Sequence, residues 1–234
     1  MEGPHANHRS RLVFVGLIAI AGMVALVIVL VSGDDKDNGG ASTADLPPGC
    51  QAVDEPTGRD VKLREPDLKA PPPGSTATVS TSCGDFTIEL ATAQAPKTTA
   101  SFVNLADNDV YKDVAFTRIA PGFVIQGGDP TGTQSGNAGY TVTEPPPANV
   151  TYSSGTVAMA KSGAEPPGTS GSQFFVVTAP ADAGLPPDYA LLGKVSTGMD
   201  VVERIASIGT ANGADGPPKS PVVINSVTIS NGDG

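Results

Sequence analysis

Tryptophan is absent from this chain and histidine nearly so: His5 and His8 are the only two, and both precede a long apolar run. Everything after that run lacks an imidazole, which removes Ser-His and Cys-His nucleophile pairs and every His-ligated metal site. Cysteine is as scarce. Cys50 and Cys83 are too few for a cysteine-only zinc site, so no metal or cofactor is expected. Basic residues are outnumbered, 14 Lys and Arg against 24 Asp and Glu, for a net charge of −10. Nucleic-acid binding needs clustered cations, and this balance argues against it. Aromatic residues make up only 5%, beside 28 Gly and 22 Pro, which is ordinary for a turn-rich β domain.

At 234 residues the chain can hold one medium domain plus an appendage. Residues 12–31 read LVFVGLIAIAGMVALVIVLV, twenty positions without a charge. As a helix this spans roughly 30 Å, the thickness of a bilayer core. Arg9 and Arg11 precede it, while Asp34, Asp35 and Asp37 follow. That asymmetry predicts a short cytoplasmic tail at 1–11, a transmembrane signal anchor at 12–31, and everything later outside the cytoplasm. A cleaved signal peptide giving a secreted protein is the alternative, although its apolar stretch usually runs only about 7–15 residues. Residues 32–73 carry seven prolines and few large apolar side chains, the composition of a flexible linker.

From 74 to 234 the pattern turns to short β-type runs. Ala77–Ser82 and Asp85–Leu90 alternate around Cys83-Gly84, which predicts a hairpin with Cys83 at an exposed tip. Further strands are expected at Val114–Ile119, Phe123–Gln126, Thr156–Ala160, Gln173–Thr178, Ala190–Val195 and Val222–Ser230. Helices are expected at Ala95–Ala106, where Pro96 suits the first turn, and at Gly198–Ile208, stopped by Gly209. Eight strands and two helices suggest an all-β closed barrel with capped ends.

Two stretches can carry chemistry. In FTRIAPGFVIQGGD, Arg118 lies within apolar strands, where an unpartnered guanidinium is costly unless it faces a cleft. Pro121-Gly122 interrupts strand alternation, which would let Phe123 and Gln126 share the face of Arg118. Alternatively Arg118 simply pairs with Asp129 or Glu144. In GSQFFVV the adjacent phenylalanines point to opposite sides, one to the core and one to a possible cleft. The run GGDPTG has glycines like a phosphate loop but lacks the Lys and the strand-to-helix setting.

Taken together, FTRIAPGFVIQGGDPTG, GTVAMAKSG, GSQFFVVT and LLGKVSTGMDVVERI resemble the cyclophilins in order and spacing, from about Ala77 to Ser230. The resemblance implies an eight-stranded antiparallel barrel with two capping helices and peptidyl-prolyl cis-trans isomerase activity, here in a bacterial membrane-anchored or exported form. It makes Arg118 the catalytic residue and places Phe123, Phe175 and Leu185 in a proline pocket with Val124 on its rim. Gln126, Ala160 and Gln173 stand where the family holds the substrate backbone, and Tyr189 where it often has His or Tyr. Partners would be proline-containing polypeptides, handled by a monomer. A non-catalytic module binding Pro-containing segments and a purely structural envelope protein are the alternatives.

The sequence also departs from the family pattern. Thr117 replaces a common His, Ala164–Ser170 is longer than usual, and Gly184 stands where many members carry Trp, so cyclosporin-type ligands are expected to bind weakly. Cys50 and Cys83, both on the side of a membrane where disulfides persist, are expected to bond within the chain. Free thiols or an interchain bond are the alternatives.

Overall fold

The computed structural model describes residues 46–232. The apolar run at 12–31 lies outside them, and among the described residues no helix is long and apolar enough to cross a membrane. Alternation of small polar and apolar residues builds the first hairpin, β1 (Thr76–Thr81) and β2 (Gly84–Leu90). Ala77, Val79, Phe86 and Ile88 face inward and are essentially inaccessible. The hairpin turns tightly because Gly84 adopts φ 113° and the Thr81 hydroxyl donates to the Gly84 carbonyl at 2.6 Å.

Helix α1 (Pro96–Asp107) follows, then β3 (Val114–Ala120), β4 (Val124–Gly127), β5 (Val142–Thr143), β6 (Thr156–Met159), β7 (Thr169–Ser170), β8 (Phe174–Val177) and β9 (Leu191–Thr197). The chain ends with α2 (Met199–Ile208) and β10 (Val223–Ser230). Eight strands close an antiparallel barrel in the order β1-β10-β3-β4-β8-β6-β9-β2. Phe102 and Leu105 of α1 and Val202 and Ile205 of α2 join the cluster that fills it. β5 and β7, two residues each, pair separately. They are too short for a periodicity to betray them, and they fasten the long 164–170 stretch to the segment around Val142.

Residues 46–73 form no helix or strand, yet they lie against the barrel. Gln51 N–H donates to the Ser82 carbonyl, Arg59 N–H to Pro130 and Leu63 N–H to Ala138, at 2.7–2.8 Å. Leu46, Cys50, Val61 and Leu63 pack on the core, and the Arg59 Nη2 donates to the carbonyls of Asp109, Val110 and Lys112. Composition suggests a loose linker here. A few apolar anchors and backbone hydrogen bonds are enough to seat this part of it. Cys50 and Cys83 are joined by a disulfide. Cys83, expected at an exposed tip, is only 1% exposed, because residues 46–73, a strap laid on the barrel, and Arg204, which donates to its carbonyl at 2.8 Å, cover it.

Candidate active site

The position of Arg118 depends on a β-bulge. Phe116 pairs with Gly127, but the next partner of Gln126 is Arg118, so Thr117 is an extra residue in β3. Phe116 and Ile119 both stay in the barrel interior. The inserted residue turns Arg118 to the outer face. The sequence alone suggests a break at Pro121-Gly122 instead. That dipeptide only makes the turn into β4, with Gly122 at φ 67° and Phe123 N–H bonded to the Ala120 carbonyl at 3.0 Å.

On β4, Ile125 points inward while Val124 and Gln126 point out; on β8, Phe174 points inward and Phe175 out. The outward residues meet in a second, smaller apolar cluster on the barrel surface, with Val124, Tyr152, Ala158 and Phe175 buried and Phe123, Ala160, Leu185 and Tyr189 half-buried against them. A cleft of about 130 Å³ opens on this cluster. It is lined by Arg118, by the candidates Phe123, Val124, Gln126, Ala160, Phe175, Leu185 and Tyr189, and also by Lys161. Gln173 lines a neighbouring hollow of about 360 Å³, which shares Gln126, Ala160 and Lys161 with the cleft.

Tyr152 supports the pocket from beneath. Its hydroxyl donates to the Tyr189 carbonyl at 2.6 Å and accepts from the Tyr189 N–H at 3.1 Å. Tyr189 then stands edge-on to Phe175, with ring centroids 5.4 Å apart. Burial pushes the Tyr152 hydroxyl up to about 12, against the smaller downward pull of its bond to the Tyr189 backbone.

Arg118 is held on two sides. Its Nε donates to Asp215 Oδ1 at 2.7 Å and its Nη2 to Oδ2 at 2.6 Å, while Nη1 donates to Gln126 Oε1 at 3.0 Å. The relay continues from Gln126 Nε2 to Gln173 Oε1 at 3.0 Å, and from Gln173 Nε2 to the carbonyls of Gln134 and Gly136 at 3.1 Å. The Arg118 guanidinium holds the Asp215 carboxyl below its usual value. Neither Asp129 nor Glu144, the alternative partners for Arg118, is used. Asp129 is buried and accepts from the Thr131 N–H and hydroxyl and from Gly136 N–H. Glu144 accepts from Lys97 and Thr98 N–H at the start of α1.

Three contributors escaped sequence reading: Tyr152, Lys161 and Asp215. Asp215 is 97 positions from Arg118 in a Gly-rich loop, where no pattern marks it.

The fold and this cleft define a class: closed antiparallel barrels with a small apolar cleft on their outer face beside a fixed guanidinium. The chain belongs to the family described as "Cyclophilin type peptidyl-prolyl cis-trans isomerase/CLD", which matches residues 76–229. It is 38% identical over 157 residues to "Peptidyl-prolyl cis-trans isomerase-like 1" of Aspergillus oryzae, covering 65% of this chain and 94% of the fungal one. Among solved structures, a Cryptosporidium parvum cyclophilin type peptidyl-prolyl cis-trans isomerase is similar, with a TM-score of 0.61 and 30% identity over 68% of this chain and 99% of the other. A structure of it in the presence of the dipeptide ala-pro has a TM-score of 0.61 and 28% identity, over 67% of this chain and 99% of the other.

Proposed function

We propose that this chain accelerates rotation about Xaa-Pro peptide bonds, with Arg118 stabilising the twisted amide, and that its substrates are proteins outside the cytoplasm. The observation that carries the reading is Arg118 fixed at the edge of an apolar cleft walled by Phe123, Phe175 and Leu185. An amide rotates slowly because conjugation is lost, at about 18–20 kcal/mol. Once twisted, the nitrogen regains its lone pair and accepts a hydrogen bond that the planar ground state cannot. An Arg N–H aimed there stabilises only the twisted state. Of the five guanidinium donors, Asp215 and Gln126 occupy three, leaving one N–H on each Nη for the substrate. The proline ring sits in the cleft while the preceding residue turns. No bond to the enzyme forms or breaks.

The relative solved in the presence of ala-pro supports proline-containing segments as the substrate class. Gly184 brings no side chain beside Leu185 and lies in open space at φ 66°, which supports weak binding of cyclosporin-type ligands. Anchorage through residues 12–31 is supported by their length and flanking charges, and an oxidising compartment by the Cys50–Cys83 bond.

Replacing Arg118 with Ala should lower kcat/KM on an Ala-Pro peptide by at least about 100-fold, the effect of losing one charge-assisted donor in a preorganised site. Arg118→Lys should restore little, because the planar fork is lost. A folded Arg118→Ala variant with near-full activity would remove Arg118 from the mechanism. A wild-type protein that binds Pro-peptides without isomerising them would be a binding module instead.

A further inference from the structure

Asp215 is not a chance neighbour of Arg118. The residue next to it, Gly216, forms a two-way backbone bridge with Ile119, the residue next to Arg118: Ile119 N–H donates to Gly216 at 2.8 Å and Gly216 N–H to Ile119 at 3.1 Å. The 209–219 loop is itself braced. Buried Thr210 donates through its hydroxyl to the Ala214 carbonyl at 2.5 Å, Asn212 Oδ1 accepts from Ala214 N–H at 3.0 Å, and Lys219 N–H donates to Gly209 at 2.9 Å. The loop therefore delivers a carboxylate to one fixed place on the outer face of β3.

We infer that Asp215 is a positioning residue for isomerisation: held by the loop bridge to β3, it grips the Nε edge of Arg118 and turns the Nη edge toward the substrate. The inference rests on the catalytic role proposed for Arg118. Gln126 alone fixes a single corner of the guanidinium, about which the plane could still swing. A two-point contact along the Nε edge fixes the plane itself. Asp215 is 53% exposed on its side chain and Arg118 28%, and an ion pair that open adds little stability. Its effect is expected in alignment, where donor direction matters steeply. Two influences oppose one another. The carboxylate partly neutralises the field of Arg118 at the substrate, whereas it also aims the donors. A hydrogen bond to a single developing lone pair is short-ranged and directional, so aim prevails.

The test is a double-mutant cycle on the full chain with an Ala-Pro peptide, using Asp215→Ala, Arg118→Ala and the double variant, with melting temperatures as the folding control. Asp215→Ala should lower kcat/KM about tenfold, almost wholly through kcat with KM within about twofold. Asp215→Asn, which keeps one acceptor oxygen, should fall between. In the Arg118→Ala background the Asp215 substitution should cost nothing further. Unchanged or raised kcat in Asp215→Ala would overturn the inference, as would an equal loss in both backgrounds. If Arg118→Ala itself keeps full activity, the catalytic assignment of Arg118 fails first, and this inference with it; if only Asp215→Ala is silent, that assignment stands and the positioning role alone is lost.

Discussion

At the scale of single residues, the cleft divides into groups whose neighbours in sequence reveal them and groups that only folding reveals. Phe123, Gln126, Gln173 and Phe175 sit in unbroken motifs, so their types and spacing were readable. Tyr152 lies in an undistinguished polar stretch, NVTYSSG, and its role as the support for Tyr189 appears only when the 183–190 segment folds over it. Its raised pKa gives a testable consequence. A Tyr ionises near 10 in the unfolded chain and at about 12 here. Between those values the folded state keeps a proton that the unfolded state has released, so stability falls as pH rises. The contribution of Tyr152 is full below about pH 10 and fades toward 12. Tyr152→Phe should be less stable than the wild type in urea at pH 8, having lost both bonds to Tyr189. That deficit should shrink between pH 10 and 11.5, because only the wild type carries the alkaline penalty. A deficit independent of pH would disprove the link. Tyr111, whose hydroxyl burial also pushes upward, is common to both proteins and cancels in the comparison.

At the scale of elements, the sequence pattern identifies both helices and all eight barrel strands to within a few residues: β1 and β2 alternate, β3, β4, β6 and β8 are short apolar runs buried along nearly their whole length, and the helices bury one face. What escaped was local irregularity. The Thr117 bulge inserts one residue into β3, and nothing in FTRIA announces it. The start of α1 is similarly hidden. Ala95 offers no capping side chain and the first turn has no acidic residue; Glu144, 47 positions from Lys97, supplies the missing acceptor from across the fold. Its Oε2 takes the Thr98 N–H at 2.8 Å and Oε1 the Lys97 N–H at 3.2 Å, placing negative charge at the positive end of the helix. Glu144→Ala should therefore cost about 1 kcal/mol of stability, and Glu144→Gln less, since the amide oxygen can still accept one bond. Chemical denaturation of the two variants would check the order. Equal losses would mean that Glu144 acts only through its negative charge at the helix start, and not through the hydrogen bonds that an amide oxygen can still accept.

At the scale of the whole molecule, strand count and the family motifs indicated a closed barrel, whereas the seated course of residues 46–73 was not legible, since a Pro-rich composition without a core is all that the sequence displays there. Closure needs non-sequential pairing of β1 with β10 and β2 with β9, which no local pattern encodes. The strap runs from the disulfide at Cys50 to the 128–139 loop, and that loop carries the Gln134 and Gly136 carbonyls at the end of the Arg118 relay. The Cys50–Cys83 bond closes a 33-residue separation. In the chain-entropy picture such a closure stabilises by roughly 3–4 kcal/mol. The seated strap keeps little freedom in the folded state to offset that, so most of the gain should be observed. Such a bond persists only where thiols are not kept reduced, which joins this contribution to the proposed location. Thiol trapping in intact cells, followed by mass spectrometry, should recover Cys50 linked to Cys83 from the native protein. A reporter fused after residue 234 should be active only outside the cytoplasm and stay with the membrane through carbonate washing. Deleting residues 1–31, which would retain the domain in a reducing cytoplasm, should yield free thiols and a lower melting temperature. Free thiols in the native protein, or a reporter active inside, would place the domain in the cytoplasm. A soluble, oxidised form lacking the first residues would instead establish cleavage and secretion, with the disulfide role intact.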